Sequence, residues 1–260
     1  MIILVGILGL CIGSFLTALI QRFCFQMPLF KARSFCFVCK NDLKFYHLIP
    51  LFSFVFLRGK CGFCGAKLPY ELLIMECLSA LFFVLGFVFS SSLSEFFVLI
   101  LLLSVLLLLS LIDFYLLSVP EFLLWLAFVC AFLLGFKSEE LFNLVFLEHF
   151  EQGFLLCALV FAGFMFLLKS FVSFIINFKK QNEVLESMGE ADVLIVAALA
   201  GVLGFKLGFL MIFLAACLAL PFLLVLKFKG EKSPKIAMIP FFSLAFVCIF
   251  FMERYYETRL

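Results

Sequence analysis

The chain has 260 residues; 67% are hydrophobic, 14% carry a charge, and 42 are phenylalanine. A soluble domain cannot hide that much apolar surface, so the composition excludes a water-soluble enzyme and points to an all-α polytopic membrane protein. The net charge of +2 says little by itself, because what matters is where the charges fall; the lipid bilayer is an expected partner and nucleic acid is not.

In chain order, eight apolar segments come close to the roughly 20 residues that span a bilayer. They are 2–20, 72–90, 96–115, 119–136, 152–175, 192–205, 207–226 and 237–252. The first lacks a basic start, and its first cation, Arg22, follows the apolar stretch, so no cleavable signal peptide is expected. The sixth is short. Gly201, Gly204, Lys206 and Gly208 surround its link to the seventh, which leaves a single re-entrant hairpin open as an alternative. With the N-terminus outside, three cytoplasmic loops hold 15 of the 19 Lys and Arg residues, the bias the positive-inside rule requires. The reading is one integral membrane domain over 1–260, with a cytoplasmic Cys-rich loop at 22–71 inserted between the first two spans. No internal repeat is visible, and the low complexity is that of Phe/Leu-rich spans.

That loop contains Cys36-Phe-Val-Cys39 and Cys61-Gly-Phe-Cys64, a C-x2-C-x21-C-x2-C arrangement. Chance could supply one such pair among 11 cysteines, but both pairs lie in the only substantial polar segment. The spacing suits one tetrahedral ion, zinc, and four thiolate ligands would make the site structural. A disulfide pairing is the alternative, and a cytoplasmic loop is a reducing place for it. Gly59, Gly62 and Gly65 permit the tight turns that aim the second pair of thiols inward. His47 and His149 are loop residues, and four thiols leave no need of them.

Asp113 is the only charge between Phe96 and Pro120. An aspartate at mid-bilayer costs about 2.5–3.5 kcal/mol on insertion scales, less near a helix end, and such residues are usually functional or paired. Asp192 closes Met188-Gly-Glu-Ala-Asp192, immediately before an apolar run. In the topology above both acids fall at cytoplasmic ends of their spans, which supports a two-carboxylate catalytic pair. Other roles stay open at this point. Asp192 could be a helix N-cap, and Asp113 could bond a neighbouring span through Ser110 or Ser118. Glu76 is a third candidate, whose default reading is a solvated interfacial side chain. A rival from another class is a membrane transporter or assembly scaffold, with the acids as proton or packing sites and the cysteine loop as a docking module.

Several stretches together resemble the prepilin peptidase (type IV leader peptidase) family of membrane aspartic endopeptidases. They are Gly13-Ser-Phe-Leu16 with Arg22, then Arg33-Ser-Phe-Cys-Phe-Val-Cys39, Ile49-Pro50 with Ser53, and Leu57-Arg-Gly-Lys-Cys-Gly-Phe-Cys64. Further on come Leu111-Ile-Asp113 with Val119-Pro-Glu121, Met188-Gly-Glu-Ala-Asp192 and Ile239-Pro-Phe241. Departures are Thr17 where the family has Asn, Ala191 where it has the second Gly, Leu194 where Lys often follows the aspartate, and no Arg-x-x-Tyr-Pro element before Glu76. The resemblance implies that Asp113 and Asp192 are catalytic and that the partners are type IV prepilin or type II secretion pseudopilin precursors. It implies leader cleavage at the cytoplasmic face of the bacterial inner membrane. A second implied activity is N-methylation of the new N-terminus from S-adenosylmethionine, with no residues assigned to that cofactor.

Overall fold

The computed structural model describes residues 1–24, 34–36, 38–44, 49–135, 153–178, 189–229 and 236–259. Among them every extended regular element is a helix: α1 Ile2–Cys24, α2 Phe52–Phe56, α3 Tyr70–Phe89, α4 Leu93–Leu116, α5 Glu121–Gly135, α6 Phe154–Asn177, α7 Glu190–Phe228 and α8 Ile239–Glu257. In hydrocarbon, backbone polar groups must pair within their own segment, so apolar sequence of this kind resolves into helices. Six of these helices, all but α2 and α5, are long and apolar enough to cross a membrane. The protein is an all-α, multi-pass membrane protein. Its eight expected segments fall on seven helices, because α7 holds two of them.

Helix α7 runs for 39 residues, which would be about 58 Å if straight, close to twice the hydrocarbon core of a bilayer. It is not straight. Gly204 sits at φ 76°, ψ −179°, a conformation essentially reserved for glycine. A Cβ placed on Gly208 would lie 3.0 Å from the Cβ of Ala200, whereas residues eight apart on one straight helix are separated by about 12 Å. The chain therefore doubles back at Gly204, and residues 190–203 and 205–228 are two helices of one hairpin.

The chain divides into two compact units, Met1–Tyr115 and Leu116–Leu260. In the first, α1 packs along α3, and glycine permits the close approach. A Cβ on Gly9 would come within 2.7 Å of the Ala80 Cα, and one on Gly13 within 2.8 Å of the Met75 carbonyl oxygen. Gly9 and Gly13 thus form the small-xxx-small face by which helices pack in lipid, where hydrophobicity gives no drive for association. Helix α4 joins this pair through Ile100, which clusters with Val5 and Phe83.

In the second unit α5, α6 and α8 each pack on α7. The first half of α7 suits this central place because Ala197, Ala198, Ala200 and Gly201 leave room for neighbours, and all four are buried. Phe154 and Phe161 of α6, both fully buried, fill that room. A Cβ on Gly201 would stand 2.7 Å from the Phe154 ring, and one on Gly208 equally close to Phe161.

Candidate functional site

The metal-binding expectation gains a geometry. The Sγ atoms of Cys36, Cys39, Cys61 and Cys64 all lie within 4.8 Å of one another, and Cys36 and Cys64 are 3.9 Å apart. Ligands at about 2.3 Å around a tetrahedral zinc ion would be roughly 3.8 Å apart, so the four thiols fit such an ion after a small contraction. A soft all-thiolate set selects zinc or an iron–sulfur centre over hard cations. Cys36 and Cys61 are buried, Cys39 is partly so, and Cys64 is exposed.

The two cysteine pairs are built alike. Lys40 N–H donates to the Cys36 carbonyl, Cys36 N–H to Asn41 and Leu43 N–H to Ser34. Twenty-five residues on, Gly65 N–H donates to Cys61, Cys61 N–H to Ala66 and Leu68 N–H to Gly59. The flanking bridges match too, Phe35 with Asp42 and Lys60 with Lys67. Each knuckle turns through a left-handed residue after its second cysteine, Lys40 at φ 56° in the first and Gly65 at φ 70° in the second. This is a backbone repeat that the sequence largely hides, since only the cysteines and the closing Leu43 and Leu68 coincide. Of the three glycines expected to make the turns, Gly59 and Gly65 have positive φ and Gly62 does not.

Backbone amides tune the thiols. The Cys61 thiol is drawn down to about 7, first by the N–H of Cys64 and then by that of Phe63. At Cys64 the Ala66 N–H acts in the same sense, but burial and the neighbouring thiols of Cys39, Cys61 and Cys36 outweigh it and hold the group up at about 11. Four thiols this close resist full ionisation on their own, and a cation removes that resistance.

Asp113 lies in the last turn of α4, and Asp192 in the first turn of α7. Each is only 8% exposed, so both are held inside the protein. Asp192 is not the N-cap of its helix. That position belongs to Gly189 in extended conformation, and Asp192 stands three residues further in. Its carboxylate turns back toward the cap, with Oδ2 3.4 Å from where a Gly189 Cβ would be. Lys169 of α6 brings a cation to this end of α7, its Nζ 3.8 Å from Glu190 Oε1.

Glu76 departs from its default reading. It is 6% exposed, not solvated, and its Oε2 accepts the Leu51 N–H at 2.7 Å. Ser14 of α1 also donates to it. Leu51 holds φ 61°, which costs a residue with a Cβ about 1–2 kcal/mol, and the bond to Glu76 helps retain it. Glu76 thereby ties together Ser14, Leu51 and α3, three places far apart in sequence. No spacing signal could have found this, because the three are joined by a buried carboxylate and by no shared pattern. Thr17, standing at the family's Asn position, is buried and satisfied within its own helix, its Oγ1 donating to the Gly13 carbonyl at 2.8 Å. His47 and His149 lie outside the described residues.

Comparison with known proteins now decides the family. A model described as the bacterial peptidase A24 N-terminal domain matches residues 7–89, and the model of the type IV leader peptidase family matches residues 100–224. A Vibrio cholerae protein named prepilin leader peptidase/N-methyltransferase is 27% identical over 97% of this chain and 97% of its own length. The chain belongs to the type IV leader peptidase family. Relatives of the same name from Myxococcus xanthus and Bacillus subtilis are 38% and 31% identical. Those matches take in 30% and 46% of this chain, and only 23% and 49% of the relatives' lengths. No solved structure matches it significantly. As a type IV leader peptidase the chain is an enzyme, as its resemblance to that family led one to expect, and no comparison favours the transporter or scaffold alternative.

Proposed function

We propose that this leader peptidase cleaves the leader of type IV prepilin-like precursors, with Asp113 and Asp192 as its two catalytic carboxylates. What carries the reading is that the type IV leader peptidase match over 100–224 contains both acids, and that both are buried at the ends of apolar helices. Two carboxylates acting together in a low-dielectric site cannot both ionise cheaply, so the pair holds one proton between them. The ionised member removes a proton from water as the water oxygen attacks the scissile carbonyl carbon. The protonated member hydrogen-bonds the carbonyl oxygen as it gains charge. Collapse of the tetrahedral intermediate breaks the C–N bond, and a carboxyl proton passes to the leaving amine.

On this proposal the cysteine loop and both acids face the cytoplasm, as the Lys and Arg distribution supports, and the bound metal is a structural zinc held by Cys36, Cys39, Cys61 and Cys64. The membrane would be the bacterial inner membrane, where the precursor's apolar helix is already in the bilayer. The relatives' names include N-methyltransferase, which supports S-adenosylmethionine-dependent methylation of the new N-terminus as a second activity.

The test is co-expression with a prepilin precursor and a gel assay for leader loss. Asp→Asn keeps size and hydrogen bonding but removes the titratable proton. Either Asp113→Asn or Asp192→Asn is expected to lower cleavage at least 100-fold, the low end of what general acid–base groups supply, at unchanged membrane levels. Normal cleavage by either variant refutes the pair.

A further inference from the structure

A cavity of about 430 Å³ opens in the first unit between α1 and the knuckles, within the roughly 300–1,000 Å³ of ligand pockets. Its lining is ordered by chemistry. Arg22 in the last turn of α1, Lys60 and Lys67 supply its cations, while Leu19, Phe15 and Cys11 continue the lining along α1. Cys11 to Arg22 covers about 16 Å of helix at 1.5 Å per residue, close to half of the ~30 Å hydrocarbon core. The part of the lining on α1 therefore has about the length of one leaflet, with Arg22 at its C-terminal end.

Two of these cations are an unfavourable pair without an anion. Lys60 and Lys67 are directly opposite each other on an antiparallel bridge, where like charges destabilise. Neither has an ion-pair partner among the described residues. Both are exposed, as is Phe15 at 59%, so the groove is open to a ligand arriving from the membrane. Among the described residues, Lys60 and Lys67 are held by backbone pairing, which any residue could supply.

We infer that this groove is a binding site for an anionic phospholipid, its phosphate among Arg22, Lys60 and Lys67 and one acyl chain along Leu19, Phe15 and Cys11. Basic pockets beside membrane helices recognise acidic headgroups through this chemistry, and a lysine or arginine at a helix end reaches the interface with its apolar stem along lipid. Because Cys36 and Cys61 also line the cavity, a bound lipid would anchor the metal-binding knuckles to the bilayer surface. A zwitterionic lipid offers the same acyl chain but carries a competing cation.

Full-length, metal-loaded protein in mild detergent, titrated with phosphatidylglycerol or phosphatidylcholine and read by native mass spectrometry, tests this. The expected result is one phosphatidylglycerol per chain, bound at least tenfold more tightly than phosphatidylcholine, and a preference lost in Lys60→Gln/Lys67→Gln with metal content intact. Arg22→Gln, which lies outside the knuckles, carries the same expectation and decides the question if the double variant loses its metal. Equal binding of the two lipids overturns the proposal, as does an undiminished preference in a metal-loaded variant. Glycerol phosphate competing as well as the whole lipid also overturns it, since the site would then read a free phosphate. Displacement by a precursor's apolar segment at equal concentration would assign the groove to a protein ligand instead.

Discussion

The cysteine knuckles of the first unit and the α7 hairpin of the second both reverse the chain within a few residues, by opposite means. Each knuckle turns through one left-handed residue and is closed by three backbone hydrogen bonds, and its first cysteine, Cys36 or Cys61, is its buried side chain. The hairpin turns at Gly204 and is held by phenylalanine rings pressed onto glycine faces. A polar segment of some thirty residues has too little apolar area for a core, and on the proposal above it takes its stability from a bound metal. An apolar segment in lipid has no hydrophobic drive either, and takes its stability from contact, which requires faces without side chains. Cysteine and glycine are thus the decisive residues in the two regions for different physical reasons.

If that contrast is right, the largest effect comes from removing metal ligands. Cys36→Ser with Cys61→Ser should take the metal from about one ion per chain to none and forfeit a binding energy on the order of 10 kcal/mol. New protease cleavage should be confined to 34–68, with the helical circular dichroism nearly unchanged. A global loss of helix would show that the knuckles and the helices are not separately stabilised.

Next in size is Gly204→Val. A β-branched residue at φ 76° should lower stability by about 1–3 kcal/mol, seen as a lower thermal midpoint in detergent with full metal content. Gly208→Leu, driven into the Phe161 ring, should do the same through packing alone. An unchanged midpoint in both would mean that the hairpin does not depend on its glycines.

The smallest expected effect lies within the knuckle repeat. Lys40 occupies, at φ 56°, the place that Gly65 holds in the second knuckle. Lys40→Gly should therefore relieve up to about 1 kcal/mol and slow metal loss to a chelator, whereas Gly65→Ala should hasten it. Equal rates for wild type and both variants would show that backbone conformation does not limit the site.

Much of the candidate site was legible because charge and sulfur stand out in so apolar a chain. Asp113 and Asp192 were conspicuous for the cost of carrying them, and the four cysteines for their paired spacing. The helices followed from apolar length, with their ends placed within a few residues. The division of α7 was legible in outline from its three glycines, but not the residue that turns. Glu76 misled because its neighbours in sequence suggest an interface, while burial depends on what other segments bring to it.

The sequence by itself determined an all-helical membrane protein, the four cysteines that could hold a metal and the two acids worth testing. Those follow from composition, period and spacing, which are local and additive. The tertiary structure alone decided that Gly204 turns the α7 hairpin and that Asp192 lies inside its helix with Gly189 as the cap. It alone showed that the two knuckles share one backbone design and that Glu76 binds Leu51 from within. Each depends on contacts between residues far apart in the chain, and free energies of that kind exist only once the backbone has brought the partners together.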